Sequence, residues 1–285
     1  MRGPIAYCTI RDQPHYRREA FVQGLRAAGY QVAGALEGEP GPEDILVIWN
    51  RYGANAELAK QFPDAQVIVC ENGYVGQDDQ GRQYYAMALG GHNGSGAWPS
   101  GGPERWDALG RTMQPWRTEG RHILVCGQRG YGYAPMAMPD AWQDQVLARI
   151  RQCTDRPVYF RPHPALHRRL PQVAYDRVLD FTRPLAEHLQ DAWAVVVWTS
   201  NAATEALLAG VPVFSDGPHL VTEGAAERGL EHLERPTYPD RRPIFERLAW
   251  AQWSVRELEA GRPFQHLLNR RPAEVSRRMP AEVAC

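Results

Sequence analysis

Thr199, Ser200 and Asn201 stand between an apolar run ending at Trp198 and a segment, Ala202 to Ala209, whose composition predicts a helix stopped by Gly210. Two hydroxyls, an amide and the free N–H groups of a helix start make a turn suited to an anion such as phosphate. The same residue types are good helix caps, so an ordinary cap is the plainer alternative. Arg161-Pro162-His163-Pro164 follows another predicted strand. Its prolines restrict the backbone on both sides of His163 and hold a guanidinium and an imidazole at the strand's end. One bidentate donor and one single donor suit a phosphate. A polar turn that starts a helix at Pro164 would look the same.

Four further clusters fall at predicted strand ends. Glu71-Asn72-Gly73-Tyr74 follows the strand Ala65 to Cys70, where a carboxylate is placed to act as a general base. Asn72-Gly73 reads as a tight turn. Gly127-Gln128 opens a glycine-rich stretch to Gly132 that lets backbone amides approach a ligand, although the spacing fits no dinucleotide fingerprint. Asn50-Arg51-Tyr52 and Thr9-Ile10-Arg11-Asp12 follow two strands of the first half and fit the acceptor side of a cleft or plain surface loops. His92-Asn93, with Trp98, Trp106 and Trp116, marks an aromatic, glycine-rich stretch from Gly90 to Glu119. Such a stretch stacks sugar rings or bases, or covers a core.

The elements that must position these residues alternate strand and helix. Strands are predicted at Pro4 to Ile10, Tyr30 to Ala33, Asp44 to Trp49 and Ala65 to Cys70, with helices at Arg17 to Gly29 and Ala54 to Phe62. A second series begins at Arg121 to Gly127. It continues through a helix at Asp140 to Arg151 and strands at Pro157 to Arg161, Tyr175 to Leu179 and Ala194 to Trp198. The alternation implies α/β architecture with two small wound parallel sheets. Helices are expected at Ile244 to Ala260 and Pro263 to Asn269. The resulting division is a first domain over 1–118, a second over 119–269 and a mobile tail over 270–285. The irregular 90–119 stretch reads as a functional loop running into the domain crossover.

Composition narrows the function classes. The 285 residues are 44% hydrophobic and 23% charged, with net charge −1, which argues against a strongly electrostatic nucleic-acid binder. Five scattered cysteines with no CxxC spacing argue against structural zinc and suit buried thiols. Lys60 is the only lysine, so a bound anion is held by arginine or backbone amides, and Schiff-base or P-loop lysine chemistry is set aside. No apolar run has the roughly 20 residues of a membrane span. With no signal-like start, a cytoplasmic protein is expected.

Taken in order, these pieces resemble the GT-B glycosyltransferases that build bacterial capsules from CMP-activated sugars, nearest to the capsule-type Kdo transferases and more distantly to bacterial sialyltransferases. The family's acidic-acidic-glycine motif is matched by Glu71-Asn72-Gly73, its Gly-Gln pair by Gly127-Gln128, and its His-Pro motif by His163-Pro164 after Arg161. Its closing motif, Ser-x-x-x-x-Glu-Ala-Leu-x-x-Gly-x-Pro-Val, is matched from Ser200 through Glu205 to Gly210 and Val213. The resemblance implies two Rossmann-like domains facing an interdomain cleft, with the nucleotide-sugar donor in the second. Gly127, Gln128, Arg161, His163, Thr199, Ser200 and Asn201 would bind the donor and stabilise the leaving phosphate. Glu205 would bond the ribose or serve as a cap partner. Glu71 would be the catalytic base, with His163 the second catalytic residue. Arg11, Asn50, Arg51, His92 and Asn93 would line the acceptor side. No metal or resident cofactor is expected, since the nucleotide-sugar is substrate. The acceptor would be a glycan or a hydroxymethylated pyrimidine in phage-type DNA. Asn72 departs from the acidic pair and keeps open a non-catalytic nucleotide- or glycan-binding protein descended from such an enzyme.

Overall fold

A computed structural model of the protein describes residues 3–130, 132, 136–166 and 170–268. Two compact units emerge: Met1–Leu109 with Glu246–Cys285, and Gly110–Phe245. The expected division placed 246–269 in the second domain, whereas the structure returns 246–268 to the first unit. The expected tail over 270–285 and the end of the last helix at Asn269 lie outside the described residues.

The first unit begins β1 (Ile5–Cys8), α1 (Arg18–Ala27), β2 (Gln31–Ala33), β3 (Ile45–Trp49), α2 (Ala54–Ala59), β4 (Val67–Gln77), β5 (Gln83–Leu89) and α3 (Glu104–Ala108). β3 is apolar along its whole length and buried from Ile45 to Ile48, as a strand covered on both faces must be. α1 turns Ala20, Phe21 and Leu25 inward and is followed by Gly29 at φ 94, the left-handed position that ends helices. β2, β1, β3 and β4 run parallel in that lateral order.

β4 differs from expectation. Its parallel pairing with β3 ends at Cys70, but the strand continues to Gln77 against antiparallel β5, with Glu71 opposite Ala86 and Asn72 opposite Tyr85. Asn72 and Gly73 therefore lie within a strand and form no turn, and Glu71 is at the end of the parallel section only. Gly73 permits the close pairing, since a Cβ there would stand 2.7 Å from Tyr84 Cβ.

The second unit contains β6 (His122–Cys126), α4 (Trp142–Cys153), β7 (Val158–Arg161), β8 (Arg177–Val178), α5 (Leu185–His188), β9 (Ala192–Val197), α6 (Ala202–Leu208), β10 (Val213–Ser215) and β11 (Glu227–Arg228). Its strands are all parallel in the order β11-β10-β9-β6-β7-β8. The chain winds outward from β6 to β8, crosses back, and winds the other way from β9 to β11. This is the doubly wound dinucleotide-fold order, and it opens a crevice outside the carboxyl ends of β6 and β9. One face buries Ile123, Val125, Phe160 and Val196 beneath Val146 and Ile150 of α4.

The chain then runs through α7 (Arg242–Ala249), β12 (Gln252–Trp253), α8 (Val255–Glu259) and α9 (Arg262–Leu268). The single helix expected over 244–260 is broken. Gln252 and Trp253 pair antiparallel with β5, and Ser254 starts a new helix through a capping box with Glu257. Gln252 is buried, and its amide takes hydrogen bonds from Tyr74 N (2.8 Å) and Val75 N (2.9 Å) while donating to Val75 O (2.7 Å). Among the described residues no helix is long and apolar enough to cross a membrane.

Candidate functional site

At the carboxyl edge of the second sheet a pocket of about 330 Å³ is lined by the ends of three strands. β6 contributes Cys126 and Gly127, β7 runs into Arg161 to Pro164, and the turn after β9 supplies Ser200, Asn201 and Ala202. Glu205 of α6 and Leu185 of α5 complete the wall. Six sequence-predicted residues, Gly127, Arg161, His163, Ser200, Asn201 and Glu205, are thus brought together from positions up to 78 apart.

His163 is tightly specified. Its Nδ1 accepts the Ala165 amide at 3.0 Å, which leaves the ring proton on Nε2. Desolvation, reinforced by the positive charges of Arg129 and Arg161, pushes its pKa down to about 4. At neutral pH the residue is therefore an uncharged N–H donor. Arg161 is anchored through Nη2, which donates to Phe181 O (3.2 Å) and Arg183 O (3.0 Å). Its Nε is buried and without a hydrogen-bond partner among the described residues. Ser200 Oγ accepts the Ala202 amide at 3.3 Å, and Asn201 Oδ1 accepts the Thr204 hydroxyl at 3.0 Å. Gly127 admits no side chain, because a Cβ would sit 2.8 Å from Phe160 Cζ. Burial pushes the Cys126 thiol up to about 12, so it remains protonated and unsuited to nucleophilic work.

Gln128 and Thr199 do not line this pocket; they hold each other. Gln128 Nε2 donates to Thr199 Oγ1 at 2.7 Å, and Thr199 N donates to Gln128 Oε1 at 2.9 Å. The Thr199 hydroxyl also reaches Met136 O at 3.0 Å. The pair ties the β6 and β9 loops together and positions their neighbours Gly127 and Ser200.

In the first unit Asn50 follows β3 where the parallel section of β4 ends. The Asn50 amide donates to Cys70 O at 3.0 Å, immediately before Glu71. Asn50 sits in the left-handed region at φ 61, and its Oδ1 is buried with no hydrogen-bond partner among the described residues. Asn55, which the sequence did not single out, latches this turn by donating to Trp49 O (2.9 Å) and Asn50 O (3.2 Å). Arg11 is exposed in the loop after β1.

The other acceptor-side expectations change. Arg51 is buried, paired with Asp64 at 2.8 Å and donating to Gly90 O, so its guanidinium braces the interior. Asn93 is buried at φ 51 with its amide on Tyr74 Oη at 3.1 Å. The His92 ring is enclosed, and desolvation alone pushes its pKa down to about 4. The 90–119 stretch is largely irregular, as expected, and crosses between the two units at Leu109 and Gly110, but its tryptophans are packed. Trp98 is buried and donates to Arg247 O at 3.0 Å, and Trp106 is buried in α3. Trp116 donates to Pro239 O at 2.9 Å beneath the Arg241 guanidinium. Trp98 and Trp106 thus belong to the core, and Trp116 is half-buried. No group of three or more His, Cys, Asp or Glu side chains suited to a metal ion occurs among the described residues.

Two Rossmann-like units, each with a wound sheet, define a GT-B-like α/β fold. Solved structures that share it include two of KpsC from Thermosulfurimonas dismutans. The beta Kdo 2,4 transferase aligns over 86% of this chain and 89% of its own, with 14% identity and a TM-score of 0.58. The beta Kdo 2,7 transferase aligns over 93% and 99%, with 16% identity and a TM-score of 0.56. The chain therefore shares its fold with these two Kdo transferases, in keeping with the resemblance in the motifs. No protein-family model and no curated protein sequence matches the chain.

Proposed function

We propose that this protein is a glycosyltransferase that uses a nucleotide-activated sugar and seats the donor's phosphate in the pocket of the second unit. The observation that carries this reading is the convergence of Arg161, His163 and Ser200 at the carboxyl edge of β6, β7 and β9. An arginine, a neutral imidazole N–H and a hydroxyl offer fixed donors for a leaving phosphate, and preformed donors stabilise developing charge without reorganising. Glu205, a carboxylate on the same wall, suits ribose hydroxyls rather than phosphate oxygens. The donor class is a CMP-sugar, in keeping with the motifs and with the Kdo transferases that share the fold.

In this reading the acceptor hydroxyl attacks the anomeric carbon, and the bond from that carbon to the phosphate oxygen breaks. The electron pair leaves on the nucleotide, and Glu71 takes the hydroxyl proton. The first unit receives the acceptor, a glycan by analogy with the shared fold, in the cytoplasm and with no metal required.

Thermal-shift screening against CMP, UDP and GDP tests the donor site, and a stabilising shift with one base identifies the donor. Glu71→Gln tests the base: transfer should be abolished while nucleotide binding persists. Transfer at a near wild-type rate removes that role. Nucleotide binding with neither transfer nor donor hydrolysis in the wild type would instead establish the non-catalytic binding protein that Asn72 keeps in view. Retardation of duplex DNA that weakens with salt would move the acceptor to DNA.

A further inference from the structure

Ser200 is held from below by a stretch to which no role has been assigned, Ser215 to Val221. Ser215 Oγ donates to Trp198 O at 2.6 Å, and Gly217 N donates to the same carbonyl at 3.1 Å. Gly217 lets the two segments touch, since a Cβ there would stand 2.6 Å from Thr199 Cγ2 and 2.8 Å from Trp198 O. His219 follows, with only 1% of its surface exposed. Its Nδ1 accepts the Val221 amide at 3.2 Å, so the ring proton lies on Nε2, which stands 3.1 Å from Ser200 O. Its backbone is fixed as well, by His219 N donating to Gly217 O at 2.9 Å and Thr222 Oγ1 donating to His219 O at 2.6 Å.

An apolar side chain would fill this space without the cost of burying a polar ring. The imidazole differs from such a filler in two directed bonds: the one at Nδ1 caps its own turn at Val221, and the one at Nε2 ends on the residue that lines the donor pocket beside Arg161 and His163. Pro218-His219 also repeats the proline-histidine pairing of Pro162-His163.

We propose that His219 is a positioning residue of the donor site: its Nε2–H holds the Ser200 carbonyl and thereby aims the Ser200 hydroxyl at the donor phosphate. This rests on the nucleotide-sugar reading of the pocket. Without the bond, the turn after β9 keeps its place in the sheet but loses its fixed orientation, and the loss falls on phosphate-bearing ligands.

The test is calorimetric titration of the full chain and its H219L and H219Q variants with CMP, UDP and GDP, and with cytidine, uridine and guanosine as phosphate-free controls. H219L should weaken the preferred nucleotide by about tenfold and leave its nucleoside unchanged; H219Q, whose amide reaches the same carbonyl, should return affinity to within about threefold of wild type. Equal affinity of H219L and wild type for the nucleotide, or proportional loss of nucleotide and nucleoside, would overturn the proposal. If H219L does not fold, nitrogen NMR of the wild-type ring decides: a proton on Nε2 at neutral pH supports the assignment, and a proton on Nδ1 ends it. A wild-type chain that binds no nucleotide removes the donor-site reading and this inference together, whereas the H219L result removes the inference alone.

Discussion

Acid should destabilise this protein through His219 in a way that one substitution can isolate. The ring is fully enclosed, and protonation would put a charge in a dry site and destroy the acceptor that Nδ1 offers to Val221 N. Desolvation accordingly pushes its pKa down to about 4, with the bond to Ser200 O opposing the shift in part. In the unfolded chain a histidine titrates near 6.5. Between those values the unfolded state takes up a proton that the folded state refuses, so stability rises with pH across the window. The contribution is complete above pH 6.5 and is lost as pH falls through 4. A displacement of this size corresponds to about 3 kcal/mol in total, of which roughly 2 kcal/mol is gone by pH 5. Urea denaturation of wild type and His219→Gln at pH 7 and pH 5 measures the difference, because every other titrating group is common to both chains. Wild type should lose roughly 2 kcal/mol more than the variant over that interval. Parallel losses would show that the folded ring accepts a proton as readily as the unfolded one, and would refute the enclosed neutral tautomer.

Three other outcomes follow from particular contacts. Gly210→Ala combines a φ of 77 with a Cβ driven into Pro115 O, and should cost about 2–4 kcal/mol in urea denaturation; a loss below the error of the assay would contradict the geometry. Gln252→Ala strands the Tyr74 and Val75 amides, and should lower stability by roughly 3 kcal/mol. An unchanged midpoint would deny that residues after 245 complete the first unit. Arg161→Lys keeps the charge but cannot both hold the Phe181 and Arg183 carbonyls and present a planar donor. Calorimetry should show nucleotide affinity reduced by about tenfold, and wild-type affinity would take Arg161 out of the donor site.

Local pattern carried much of this protein. Runs such as Ile45 to Trp49 and Ala192 to Val197 are apolar throughout because both faces of a parallel strand are covered, and that periodicity is visible without coordinates. Prolines marked Arg161 and His163 at a strand end, and the resemblance to the capsule-type Kdo transferases joined Ser200 and Glu205 to them as one candidate site. The two wound α/β sheets were legible for the same reason, since alternating strands and helices leave few topologies, and the resemblance in the motifs added the GT-B-like arrangement.

What the sequence could not decide was where side chains spend their hydrogen bonds. Gln128 and Thr199 lie 71 positions apart and satisfy each other; Arg51 turns to Asp64 and Gly90; Gln252 reaches back to Tyr74. β5 and the continuation of β4 were not legible because their antiparallel pairing with each other, extended by β12 on β5, and not local preference makes them strands. His219 escaped because a buried histidine declares itself only through the atoms around both ring nitrogens. The chain's order fixed which polar residues stand at strand ends, through backbone periodicity that acts over a few residues. Only the packed tertiary structure separated those that face a pocket from those that brace it, because desolvation and hydrogen-bond satisfaction are set by neighbours distant in sequence.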